Sequence, residues 1–176
     1  MRKLIGKRRL TPVQLAKLIG PELLGPLRKA TETLPVWNDV LSDAKTGRIY
    51  FEIVAAQLFV FTDLFFRSCP HREYSLQAHS WYGSYIAHAM SEEAAFKFDY
   101  DQLARRFKAR GEEYLPVLRA SPEGDYTEFA KIYSRNAGVA DGYVADQILW
   151  FEESARRYER MLASLWNKVE PDCEKE

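Results

Sequence analysis

Arg48–Ser68 reads RIYFEIVAAQLFVFTDLFFRS, and the conformation of this stretch decides the fold. Wound at about 100° per residue, it forms a helix of nearly six turns. Its polar residues Arg48, Glu52, Thr62, Asp63 and Arg67 then fall in one narrow sector, and Gln57 sits on the opposite side. A helix that is apolar on nearly all sides lies in the middle of a bundle or at a subunit interface. Arg48/Glu52 and Asp63/Arg67 are each four residues apart, so each can pair along a thin exposed strip. A membrane span is a poor reading, because a carboxylate near the bilayer centre costs about 2.5 to 3.5 kcal/mol and Glu52 and Asp63 both lie inside.

The flanks read as further helices. Toward the N-terminus, Lys45-Thr46-Gly47 suggests a turn after a short helix over 36–44. Thr11-Pro12 starts a helix that Gly20-Pro21 should end near Ile19, and Pro26 and Pro35 should leave only short helices after it. Toward the C-terminus, Cys69-Pro70-His71 stops the central helix. Tyr74–Met90 follows as a helix with the small residues Ser75, Ala78, Gly83 and Ala87, and Ser91-Glu92-Glu93 suggests a new helix start or a kink. Asp99 or Asp101 opens a helix to about Arg110, which Gly111 should close, and Pro116 should interrupt the next turn. Asp125 with Glu128 has the spacing of a capping box for a helix ending at Asn136, before Gly138.

The last helix spans about 141–169. Val144, Ile148, Phe151, Ala155, Tyr158, Leu162, Leu165 and Val169 follow a four-three spacing, the seam of a heptad pattern. No stretch alternates long enough to suggest a strand. The expected class is all-α: a single-domain helical bundle of six to eight helices around two long ones, about 48–68 and 141–169. The expected organisation is a basic helical arm (1–30) packed on the body, a bundle (31–169) and an acidic disordered tail (170–176).

Composition agrees with a globular chain. Of 176 residues, 47% are hydrophobic and 28% charged, which excludes general disorder. Two cysteines, Cys69 and Cys173, make no disulfide framework, and the basic N-terminus has no apolar run behind it, so a cytoplasmic protein is expected. The formal net charge is zero, but residues 1–30 carry +7 and the remainder −7. Such a basic head can touch nucleic acid through Arg2, Lys3, Lys7, Arg8 and Arg9, or fold back on the acidic body. Gln14-Leu15-Ala16-Lys17 followed by Gly20 has the pattern of a first helix and turn in a DNA-reading motif, but Pro26 would fall inside the reading helix, so nucleic acid is disfavoured.

Local catalytic motifs are missing. There is no GxGxxG, no GxxxxGK[ST] and no GxSxG, and the residues three before His71, His79 and His88 are Ser68, Leu76 and Tyr85, so no ExxH site exists. No cofactor and no metal is expected, and nothing points to a reaction type. The patch Arg105, Arg106, Lys108 and Arg110 reads as a solvated face.

Gln57 is the candidate polar anchor. A buried amide left unpaired costs about 1–3 kcal/mol, so it needs a partner, for which His79, Ser80, Tyr82 and His88 qualify. His79 and His88 are nine residues apart and face opposite sides of a straight helix. The leading functional expectation is a non-enzymatic module that binds a protein partner or its own copy, a homodimer included. The alternative is a binder of a small apolar or aromatic ligand between helices 48–68 and 74–90, with Gln57, His79, Trp81, Tyr82 and His88 as candidates.

Overall fold

The helix over the central stretch is one turn longer than its sequence suggests. In the computed structural model, which describes residues 7–30, 43–93, 98–122, 124–139 and 143–173, it runs Asp43–Ser68 and is designated α2. The turn expected at Lys45–Gly47 is helical, and residues 31–42, including most of the expected 36–44 helix, lie outside the described residues. The other elements are β1 (Arg8–Leu10), α1 (Pro12–Ala30), α3 (Arg72–Ser91), α4 (Tyr100–Ala120), α5 (Thr127–Ala137), α6 (Val144–Lys168) and β2 (Val169–Pro171). The all-α bundle expected from sequence is thus the architecture, with six helices among the described residues.

Helix α2 touches all five other helices. These form a ring around it in the order α1, α3, α4, α5, α6, each packed on the next. The ring is closed by parallel pairing of β1 with β2, which sets Arg8 opposite Val169 and Leu10 opposite Pro171. Tyr74 donates its hydroxyl to the Leu10 carbonyl at 2.6 Å, and the Asp172 amide donates to the same oxygen at 2.9 Å. The segment expected as a disordered tail therefore begins as a paired strand. Isolated three-residue strands carry no period-two signal, so sequence reading cannot see them.

Every residue from Phe51 to Asp63 is buried. The exposed strip expected along α2 is absent there because the ring helices supply partners for its polar groups. Glu52 meets Arg110 and Tyr114, and Thr62 shares a 3.0 Å hydrogen bond with Tyr82. Asp63 and Arg67 pair as expected, Nε to Oδ2 at 2.7 Å, but Asp63 is buried and only Arg67 reaches water. The Arg48 side chain lies outside the described residues. Although Ile49–Ser68 is long and apolar enough to span a membrane, 83% of its most apolar window is buried inside the chain.

Four helix breaks expected from glycine and proline do not occur. Helix α1 continues through Pro21 and Pro26, and α4 through Gly111 and Pro116. An interior proline costs about 3 kcal/mol, and burial of an aliphatic side chain returns about 1.5–3 kcal/mol. Leu15, Ile19, Leu23, Leu24 and Leu27 are all buried, enough to hold α1 together. The glycines serve close packing instead. A Cβ on Gly20 would lie 2.5 Å from the Tyr85 ring, and one on Gly111 would lie 3.0 Å from Phe59. Because α1 has no turn, the helix-turn-helix resemblance has no geometric basis.

The caps are local and legible. The Gln14 amide donates to Thr11 Oγ1 while the Thr11 amide donates to Gln14 Oε1, a reciprocal box. Asp99 accepts from the Gln102 amide at 2.8 Å, and Gly138 ends α5 at φ 72°. Asp125 accepts from the Thr127 amide at 2.9 Å rather than forming a box with Glu128, which pairs with Lys131.

Candidate functional site

Helices α3 and α4 both seat on α2 but do not fill the space between them. On α3 the facing residues are Ser80, Gly83, Ser84 and Ala87, at helical spacings of three and four, and α4 faces them with Ala104 and Gly111. These side chains are too short to interdigitate. The result is a half-open groove of about 630 Å³, floored by Leu58 and Phe59 of α2 and walled by Phe107, Leu115 and Pro116 of α4. A Cβ on Gly83 would meet no atom within 4 Å, so this wall borders open space.

One end of the groove is polar. His79 stands edge-on to Phe66 and Tyr82, with ring centroids 5.4 and 5.3 Å away. Burial, helped by the charge of Arg119, lowers its pKa to about 4, so the imidazole is neutral at pH 7. Arg119 holds its guanidinium 5.4 Å from the Phe66 ring centre. It also lines a neighbouring recess of about 610 Å³ that holds Asp63, Arg67, Arg72 and Ser75. Asp63 Oδ1 has no partner there, and burial raises the pKa of this carboxyl against the pull of Arg67.

The residues singled out from sequence are dispersed. Gln57 is fully buried on the side of α2 that faces α6, where Tyr158 donates to its Oε1 at 3.1 Å and its Nε2 has no partner among the described residues. Its partner thus comes from the last helix, 101 residues away, and not from α3. Gln57 lines neither the groove nor the recess beside it. Tyr82 is fully buried, engaged by Thr62. Trp81 is 54% exposed and, with His88, lines a second recess of about 570 Å³ between α1 and α3. His88 is exposed, 3.6 Å from Glu92. Of the five ligand candidates only His79 borders the α3–α4 groove.

Lys7, Arg8 and Arg9 are exposed, while Arg2 and Lys3 lie outside the described residues. Further along the same segment, Arg28 pairs with Glu93 at 2.6 Å. The basic patch on α4 is not a plain solvated face: Arg110 turns inward to Glu52, and Arg106 stacks 4.0 Å over Phe98. Among the described residues no group of three His, Cys, Asp or Glu could hold a metal ion.

What sequence reading missed is the α4 half of the groove. Gly111 and Pro116 look like helix stops, so the 104–119 face was not expected to be one continuous wall. The available signal was the match of two small-residue faces in consecutive helices. Compared with known protein families, curated proteins and solved structures, the chain matches none.

Proposed function

We propose that the protein binds a small apolar molecule in the α3–α4 groove and acts as a carrier or sensor of it. The observation that supports this reading is the groove itself. Its volume of about 630 Å³ falls within the roughly 300–1,000 Å³ typical of small-molecule sites, and its floor and much of its walls are apolar, with Ser80, Ser84, Lys108 and Glu112 along the walls and His79 and Arg119 at one end. A bound chain would gain about 0.8 kcal/mol for each methylene buried. The test is a thermal-unfolding series with straight-chain alcohols. Tm should rise with chain length at fixed concentration. Gly83→Leu places a side chain into the open space, improves helix propensity, and should remove the ligand response while leaving the fold intact. A response that is absent, or unchanged in Gly83→Leu, contradicts the reading.

A second reading, contact with a protein partner or a second copy, is favoured by exposed Leu18, Trp81, Tyr85 and Tyr100. The apolar α2 no longer supports it, because that helix is sheathed within one chain. Light scattering at high concentration tests self-association, and a strict monomer removes it.

A further inference from the structure

We infer that the occupant of the α3–α4 groove is an amphipathic anion, with a linear apolar chain along the groove and a carboxylate or phosphate head at Arg119 and Arg72. This rests on the proposed apolar binding and adds the chemistry of the head. Arg119 belongs to both the apolar groove and the adjoining recess, so the two spaces meet at one guanidinium. The recess brings together Arg67, Arg72 and Arg119 against a single carboxylate, Asp63. Oδ2 of that carboxylate is taken by Arg67, which also donates to the Leu118 carbonyl at 2.7 Å and is thereby fixed, while Oδ1 has no hydrogen-bond partner among the described residues. Arg72 and Arg119 make no ion pair within 4 Å among the described residues; Arg119 feels the charge of Asp63 and shares the groove with Lys108 and Glu112, whose charges offset each other, so three guanidiniums against one carboxylate leave the end of the trough net positive.

The arrangement suits an anion for further reasons. Arg119 lies over Phe66, whose face orients a guanidinium without using its N–H donors. A guanidinium binds carboxylate and phosphate oxygens two at a time. Beside it, His79 makes no side-chain hydrogen bond among the described residues. As a neutral imidazole it can give one N–H to a head group. A cationic head would meet two like charges, and a neutral head would gain no charge-assisted bond from these two exposed guanidiniums.

The experiment is a calorimetric titration of the full chain with decanoate, decyl phosphate, decan-1-ol and decyltrimethylammonium, each below its aggregation limit, with inorganic phosphate alone as a further arm. Decanoate or decyl phosphate should bind at least about tenfold tighter than decan-1-ol. That gap should shrink with added salt, and Arg119→Gln should bring the anion close to the alcohol. Arg72→Gln is a second variant, and the salt response of the unmodified chain requires no variant. The preferred anion separates a carboxylate from a phosphate source. Phosphate binding without the chain would overturn the proposed orientation. Alcohol binding as tight as the anions, or an anion preference unmoved by salt and both variants, overturns the inference while leaving apolar binding in place. No binding by any chain-bearing probe overturns both.

Discussion

Replacing Arg110 by Met should destabilise the protein far more than the loss of a surface ion pair. Glu52 lies on α2 with its side chain 2% exposed. Arg110 holds both its oxygens: Nε lies 3.0 and 2.8 Å from Oε1 and Oε2, and Nη2 lies 2.6 Å from Oε1. Tyr114 donates the remaining hydrogen bond at 2.9 Å. The same guanidinium reaches Glu113 at 3.2 Å, and Glu113 binds Arg135 and Asn136 of α5. One side chain thus joins three helices. Arg110→Met leaves a buried carboxylate with only a phenol, a situation that costs about 3–5 kcal/mol. For a chain of this length about 1 kcal/mol corresponds to 2–4 °C, so Tm should fall by about 6–20 °C. The double variant Glu52→Met/Arg110→Met removes both charges and leaves only the Tyr114 hydroxyl without its acceptor, at about 1–3 kcal/mol. It should therefore be more stable than Arg110→Met alone. Urea unfolding of the full double-mutant cycle measures the coupling. A loss below about 1 kcal/mol for Arg110→Met, the range of exposed pairs, would refute the reasoning.

Two glycines on α1 should respond in opposite directions. Gly25→Ala meets no atom within 4 Å and should stabilise by about 0.5–1 kcal/mol, whereas Gly20→Ala drives into the Tyr85 ring and should cost about 1–3 kcal/mol; parallel thermal melts distinguish the two. His79 should make the fold acid-sensitive. Its imidazole takes a proton near pH 6.5 when unfolded but near 4 when folded, so stability is lost as pH falls through that window, by up to about 3 kcal/mol. Asp63, whose carboxyl is held above its usual range by burial, acts in the opposite sense, with stability gained as pH falls through its raised folded pKa. An NMR titration of His79, with the stability profile of His79→Gln as a flatter comparison, checks the sign.

The sequence made the central helix, the last helix and most caps readable, because those signals are local: an apolar run, a heptad spacing, Thr11 before Pro12, Gly138 after Ala137. The failures share one physical origin, which is that long-range partners override local preference. Gly20 and Gly111 resemble helix ends until the Tyr85 and Phe59 rings packed against them are known. Glu52 looks solvated by its place in a polar sector, yet Arg110, 58 residues away, permits its burial. Gln57 is buried and accepts one hydrogen bond, from Tyr158, and the identity of that partner depends on helix packing order, which a single sequence does not encode locally. Trp81, expected beside Gln57, is on the outer face of α3. The groove was half legible: the small residues of α3 were visible, and the wall opposite was hidden by the glycine and proline of α4.

The most direct test of the account is residue-resolved NMR during titration with decan-1-ol. Amide shifts should saturate together at Gly83, Ser84, Ala87 and Gly111, with the Leu58 and Phe59 floor following, and should vanish in Gly83→Leu. Shifts confined to Trp81 and Tyr85, or no saturable shifts at all, would contradict a binding groove between α3 and α4.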